Sequence, residues 1–290
     1  MVIYNPKDWW KLIFNFNRSD TFRIMLPGIL GVALFTGLVA YLENDVLKVS
    51  FKNTTAIHSL VGFVLSLLLV FRTNTAYDRW WEGRKAWGSF VNNSRSLALK
   101  ISVLSVPEEE KRKFGSWIAI YLQCAKEHLR EGVSPAEWDT YKQMLDPKYH
   151  HISHRPNAVM QQMWSQLYDW LRRGVIVPQE LLLLNDDLKS FTDNIGVCER
   201  IKRTPIPYSY STYLKKIIFL YVFTMPIGFV REFGYWAMPI VAIIFYIFGS
   251  IELLAEEIED PFGRDTNDLP TDSISMTIAA NVEELLGGKY

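Results

Sequence analysis

Side chains that could bind a metal or carry out a reaction are few in this 290-residue chain. His150, His151 and His154 form the densest group, and histidine is the commonest metal ligand in proteins. Because no cysteine or carboxylate stands at a spacing that completes a metal site, we interpret these histidines as part of an exposed polar loop. The sequence also lacks a glycine-rich phosphate loop, a G-x-S-x-G elbow and an H-E-x-x-H helix. It therefore predicts neither an enzyme nor a bound metal or cofactor.

One apolar stripe offers a different kind of chemistry, the passage of ions. Phe63, Leu67 and Phe71 recur every four residues within the stretch Ile57–Trp81, so they lie on one face of a helix. This face has two interpretations. It is ordinary core, or, in a symmetric oligomer, each position becomes a ring of apolar side chains that gates ion flow by dewetting. Periodicity alone does not choose between them.

The helix that carries this stripe is expected to run from lipid into water. Its sequence changes abruptly from apolar to polar after Phe71, and no proline or glycine interrupts Leu65–Trp81. A neighbouring face made of Gly62, Ser66 and Val70 is narrow, and small residues at this spacing let helices approach closely in membranes. The sequence therefore predicts one continuous helix with a bulky face beside a narrow one.

Four apolar stretches predict an all-α membrane protein with four transmembrane helices and a helical cytosolic domain. The expected organisation has four parts. These are residues 1–104, with an N-terminal interfacial helix, membrane helices at about 24–42 and 57–81 and a helical extension; a cytosolic helical domain, 105–212; membrane helices three and four, 213–257; and a cytosolic C-terminal segment, 258–290.

The charged residues of the chain indicate its class of partner and its orientation in the membrane. Lys plus Arg total 31, the same as Asp plus Glu, which argues against a nucleic-acid partner. Basic residues are concentrated before span one, after span two and before span three, whereas the two opposite loops carry only Lys48, Lys52 and Arg231. By the positive-inside rule, both termini are therefore expected in the cytosol. Membrane lipid is the expected surrounding of the spans.

Two motifs carry a resemblance to a known family. The run Phe71–Arg84, FRTNTAYDRWWEGR, and the run Ile258–Gly263, IEDPFG, resemble the bacterial branch of the bestrophin family. The resemblance covers roughly residues 5–285, with hydrophobic spans in matching positions. It implies a homopentameric channel for small monovalent ions in the bacterial inner membrane, with a central pore on the symmetry axis.

The resemblance also implies where this pore narrows. In the family the second membrane helix lines an apolar neck, which favours the ring interpretation for Phe63, Leu67 and Phe71. A second, cytosolic constriction lies near the start of a later helix, and Leu181 is its best match here. From the residues alone, Leu181–Leu184 are equally consistent with four leucines buried between packed helices.

Eukaryotic members of this family bind calcium through consecutive acids that directly follow the motif matched here by Asp260–Gly263. In this chain Arg264 comes next, and only Asp265 and Asp268 remain as acids nearby. Calcium requires six to eight oxygen ligands, several of them carboxylates. We therefore expect no calcium site in this segment.

The sign of the permeant ion depends on charges at the pore mouths, because an apolar neck carries none. Near Leu181 the sequence has Glu180, Asp186 and Asp187, with no Lys or Arg from Gly174 to Leu188. Glu180 is the predicted pore-mouth charge. This acidic excess favours monovalent cations such as sodium, with a chloride channel as the alternative. A non-conducting scaffold or receptor is the alternative from another class.

Overall fold

The computed structural model describes residues 20–47, 55–130 and 132–287, and these contain helices and turns but no strand. The all-α prediction is confirmed, while the predicted interfacial helix before Asp20 lies outside the described residues. In chain order the helices are α1 Asp20–Tyr41 with a π-helical continuation Leu42–Leu47, α2 Thr55–Ser102, α3 Glu108–His128, α4 Pro135–Lys142, α5 Arg155–Arg172, α6 Pro178–Arg203, α7 Tyr208–Phe233, α8 Ala237–Glu259 and α9 Thr271–Leu286.

Helix α2 is a single helix of 48 residues, which at 1.5 Å per residue is about 72 Å long. It has no interior proline, and its glycines do not break it. The prediction of one uninterrupted helix through Leu65–Trp81 is confirmed. A helix of this length is more than twice as long as a bilayer core is thick.

The described residues form two compact units. We call the first the membrane unit; it comprises the described residues up to Arg79 together with Pro205–Glu259. We call the second the extramembrane unit; it comprises Trp80–Thr204 and the described chain from Asp260 onward. Helix α2 contributes its first half to the membrane unit and its second half to the extramembrane unit.

Three helical stretches among the described residues are long and apolar enough to cross a membrane: 21–47, 55–102 and 208–259. The last of these consists of α7 and α8, which are separated by a turn at Gly234 with a φ of +56°. Glycine adopts this left-handed conformation without steric cost. In the membrane unit α8 packs against both α1 and α7. The largest apolar core cluster of the membrane unit joins α2 to α7 and α8 through side chains such as Leu65, Leu69 and Tyr221.

The extramembrane unit has its own apolar core, built largely from aromatic rings. Phe90 of α2 packs edge-on against Phe191 of α6 at 5.8 Å between ring centroids. Tyr121 of α3 lies 5.1 Å from the same Phe191 ring and donates a hydrogen bond to the Phe191 carbonyl. Helix α9 packs on α3, where a side chain in place of Gly115 would meet Val282. This core holds α2, α3 and α6 at fixed positions in the unit.

Candidate pore helix and its anchors

The bulky apolar stripe of α2 is exposed in the single chain. Phe63, Leu67 and Phe71 are 70%, 47% and 56% exposed, whereas Leu65 and Leu69, on the other side of the helix, are buried. The interpretation of the stripe as core of this chain is therefore wrong. Large apolar side chains exposed in a row require lipid, another subunit or a pore around them.

The narrow face of α2 is used only in part. A Cβ atom on Gly62 would lie 2.6 Å from the Tyr221 hydroxyl of α7, so this position permits the close approach that the sequence predicts. Ser66 and Val70 are exposed instead. Within the single chain, Gly62 is therefore in a close helix contact, and for Ser66 and Val70 the close approach stays a prediction.

The buried face of α2 continues from apolar residues to a buried ion pair. Arg72 is 1% exposed, and its Nη2 atom lies 2.7 Å from Oε2 of Glu259 in α8. Its Nε atom lies 3.6 Å from a carboxylate oxygen of Glu252, which is also buried. Although Arg72 follows Phe71 directly in the sequence, it lies on the opposite side of the helix from the stripe. Its charge is therefore neutralised by α8.

Glu259 connects three parts of the membrane unit. Its Oε1 atom accepts a hydrogen bond from the backbone N–H of Ile206 at 2.6 Å, just before α7 begins. Its backbone carbonyl accepts a hydrogen bond from Nε of Arg79 at 3.0 Å. Together with the Arg72 contact, these bonds anchor the end of α8 to α2. The two separated motifs of the sequence therefore meet in space.

The two motifs also meet within the extramembrane unit. The Trp80 indole donates a hydrogen bond to the Asn267 carbonyl at 3.0 Å. The ring of Phe262, which is fully buried, lies against Gly83, where an added Cβ atom would be only 3.1 Å away. A side chain at position 83 would therefore force the Phe262 ring to shift by a few tenths of an ångström, so the small size of Gly83 favours this close packing.

The four leucines at the start of α6 have different environments. Leu181 packs partly against the core of the extramembrane unit, and Leu184 is buried. Leu182 and Leu183 are 70% and 65% exposed. The alternative of four buried leucines is therefore wrong, because two of them face away from their own chain.

The three acids that the sequence assigns to this region have different surroundings, and an ion pair neutralises one of them, Asp187. Asp187 is buried, and Lys100 of α2 lies 2.7 Å from its carboxylate. Glu180 accepts a hydrogen bond from the backbone N–H of Val177, as in a helix N-terminal cap. Only Asp186 of the three acids is exposed and lacks an ion pair within the described residues. The reasoning from sequence missed Lys100 because it belongs to a helix far earlier in the chain.

Exposed basic side chains also lie along the part of α2 that belongs to the extramembrane unit. Arg84, Lys85 and Arg95 of α2 are exposed, and within the described residues none of them forms an ion pair. Arg84 and Lys85 line an open pocket of about 490 Å³ with Trp81, Gly88, Ser89, Asn92 and Asn93. This surface combines cations with amide and hydroxyl groups, which are suitable for attracting anions.

The comparisons with known proteins agree with this geometry. The sequence model of bacterial and fungal bestrophin proteins matches residues 1–284. A voltage-dependent anion channel-forming protein of Nostoc sp. is 36% identical over 96% of this chain and 92% of its own length. This chain belongs to the bacterial bestrophin family. A voltage-dependent anion channel-forming protein of Escherichia coli K12, YneE, is 29% identical over 98% of this bestrophin and 94% of its own length.

Solved structures show the same fold. The crystal structure of a bacterial bestrophin homolog from Klebsiella pneumoniae matches with a TM-score of 0.83 at 24% identity. The match covers 90% of this bestrophin and 98% of that chain. Membership of this family indicates a membrane channel protein and not an enzyme. The preference for cations inferred from sequence is not supported, because the names of the relatives favour anions.

The acidic segment after α8 is arranged for packing in this bestrophin. Asp268 is buried, and its carboxylate accepts a hydrogen bond from the backbone N–H of Asp265 at 2.6 Å. Burial raises the pKa of Asp268 to about 6. Arg264 lies 3.9 Å from a carboxylate oxygen of Glu127, and Asp265 is exposed. Within the described residues these acids do not converge as a set of three close donors.

The histidine loop is less exposed than the sequence predicts. His151 is exposed, but the Nε2 atom of His150 is within hydrogen-bond distance of the Lys142 and Leu145 carbonyls. The Nε2 atom of His154 lies 2.7 Å from the carboxylate of Glu199. The interpretation as one exposed polar cluster is therefore right for His151 and wrong for the other two.

Proposed function

We propose that this bestrophin is a homopentameric channel for small anions, with α2 of each subunit around the central axis. The observation that carries the proposal is the exposed stripe of Phe63, Leu67 and Phe71 on a helix whose opposite face is buried in its own chain. Five copies of each residue would form three apolar rings, and such a neck passes ions only when it is wetted.

The proposal includes four membrane crossings per subunit, and the helix lengths support it. Helices α1, α7 and α8 each have between 22 and 26 residues, enough for one crossing. The first half of α2 provides the remaining crossing, and the turn at Gly234 divides α7 from α8. Exposed apolar residues on these helices, such as Leu34 and Phe219, would contact lipid. We place the protein in the bacterial inner membrane with both termini in the cytosol.

Two observations support anions over sodium. The relatives are named voltage-dependent anion channel-forming proteins. In the extramembrane unit, Lys100 neutralises Asp187, while Arg84 and Lys85 are exposed on α2. Positive charge near a pore raises the local concentration of anions and excludes cations. Chloride is the simplest ion of this class.

The start of α6 is the proposed cytosolic aperture. Leu181 is the residue predicted from sequence, but part of its side chain packs in the core. Leu182, one position on, is more exposed and therefore more available to a ring around an axis. Alanine at position 181 should lower stability as well as alter flux, whereas alanine at position 182 should alter flux alone.

Reconstitution of the purified protein tests the proposal. In planar bilayers with a potassium chloride gradient, the reversal potential should lie near the chloride equilibrium potential. Leu67→Ala and Phe71→Ala should widen the neck and raise conductance. Leu34→Ala provides a matched control, because Leu34 is an exposed leucine on α1, and its conductance should be unchanged.

The outcomes separate the alternatives. A reversal near the potassium potential would overturn the anion assignment but leave the channel. Unchanged conductance in both neck variants would remove Leu67 and Phe71 from the pore. No ion flux at all, with an intact oligomer, would favour a non-conducting scaffold or receptor.

A further inference from the structure

Three potential metal ligands, two within helices and one at the N-cap of a third helix, meet in the extramembrane unit. His128 is the last residue of α3, His154 directly precedes α5, and Glu199 lies in α6. The Nε2 atoms of His128 and His154 lie 2.6 Å and 2.7 Å from the same Oε1 atom of Glu199. One ligand atom from each residue lies within 4.8 Å of the other two.

The cluster is ordered yet accessible. The two imidazole rings are 4.3 Å apart between centroids, so both face one small volume. Each of the three side chains is between 21% and 23% exposed, which leaves a route for a solvated ion. Because the three helices are fixed by the core of the unit, the ligands do not have to be gathered from a flexible chain.

The hydrogen bonds of His154 define its arrangement without metal. Its Nδ1 atom accepts the backbone N–H of Asn157 at 3.1 Å, so the proton of the neutral ring is on Nε2 and is donated to Glu199. A metal bound at Nε2 requires this proton to move to Nδ1 by exchange with solvent. The cost is one helix-cap hydrogen bond, which is small compared with coordination by three donors.

We propose that His128, His154 and Glu199 form a binding site for a divalent transition-metal ion of the zinc class, completed by water. Two nitrogen donors and one carboxylate match the preferences of zinc, whereas calcium and magnesium require oxygen ligands. Ligand atoms around tetrahedral zinc are roughly 3.3 Å apart at bond lengths of about 2.0 Å. The Glu199 carboxylate therefore has to withdraw by several tenths of an ångström to admit the ion.

Binding would join the end of α3, the start of α5 and the body of α6. The predicted site is independent of the proposed channel function, because it is defined by ligands within one subunit. Its test is therefore a binding measurement and not a measurement of ion flux.

The experiment uses the full-length protein in detergent, with its affinity tag removed and its metals stripped by a chelator. Isothermal titration with zinc chloride should show one site per chain, and the melting temperature should rise with zinc but not with calcium chloride. Glu199→Gln and His128→Gln keep the side-chain size and should each weaken zinc binding by a factor of 100 or more. His151→Ala is the matched control, since it removes an exposed histidine of the same loop, and should bind zinc like the wild type.

Two results would overturn the proposal. The first is the absence of zinc binding or of a zinc-dependent melting shift in the wild type. The second is zinc binding of equal strength in the wild type and in both ligand variants, which would locate the metal elsewhere. If a variant fails to fold, the visible spectrum of the cobalt-loaded wild type decides instead. A cobalt spectrum typical of nitrogen and oxygen donors, without a thiolate charge-transfer band, would support the site. A thiolate charge-transfer band would instead assign the metal to Cys124 or Cys198.

Discussion

The buried ion pair between α2 and α8 should be a main source of stability in the membrane unit. Arg72, Glu252 and Glu259 have side chains that are 1%, 5% and 13% exposed. Replacing Arg72 by methionine keeps most of the side-chain length but leaves two carboxylates without their cation. Removing one partner of a buried pair costs about 3–5 kcal/mol, because the remaining charge is no longer compensated.

The measurement is thermal unfolding of the purified protein in detergent. For a domain of this size, such a loss corresponds to a fall in melting temperature on the order of 10 °C. Lys215→Met is the matched control. It breaks the ion pair between Lys215 and Glu256, whose side chains are 50% and 52% exposed, and exposed pairs contribute less than about 1 kcal/mol.

A second variant separates charge from packing. Adding Glu252→Gln to Arg72→Met removes one of the two stranded carboxylates and should recover part of the lost stability. Equal falls in melting temperature for Arg72→Met and Lys215→Met would refute the reasoning. So would a double variant that is no more stable than Arg72→Met.

Three further predictions concern the extramembrane unit. Lys100→Met leaves Asp187 without its cation and should shift the reversal potential toward the cation equilibrium potential. The shift should be largest at low salt, where charges are least screened. Lys113→Met, on the surface of α3, is the control and should leave the reversal potential unchanged. The pKa of Asp268, about 6, lies above the ordinary value of 3.8, so the folded protein loses stability as the pH rises from about 4 to about 6 and stays less stable above that range. Asp268→Asn should therefore stabilise the folded protein at pH 7.5 by about 3 kcal/mol, measured as a higher melting temperature, and the gain should shrink toward pH 4. Ion flux should persist when calcium is removed with a chelator, and a steep loss restored by micromolar calcium would contradict our interpretation of Arg264.

Much of the architecture follows from local sequence patterns. The all-α class and the unbroken helix through Leu65–Trp81 were predicted because helix formation depends on nearby residues and on the absence of breakers. The common face of Phe63, Leu67 and Phe71 follows from the 3.6-residue period of the helix. Gly174 follows α5 with a φ of +70°, a conformation with which glycine commonly ends a helix.

The environment of a face does not follow from its period. Arg72 and Phe71 are neighbours in the sequence, yet one is buried against α8 and the other is exposed. The same holds for Leu181–Leu184, where four identical residues occupy buried, partly buried and exposed positions. Which side of a helix is covered depends on the helices that pack against it, and these come from distant parts of the chain.

The sequence by itself determined the helices, the apolar stripe and the two family motifs of this bestrophin, because each is written in residues close together along the chain. Only the tertiary structure decided the electrostatics. It placed Lys100 beside Asp187, turned Arg72 away from the stripe, and joined His154 to His128 and Glu199. The physical reason is that charge interactions depend on distance in space and on burial. Folding sets both quantities, and the order of residues along the chain does not.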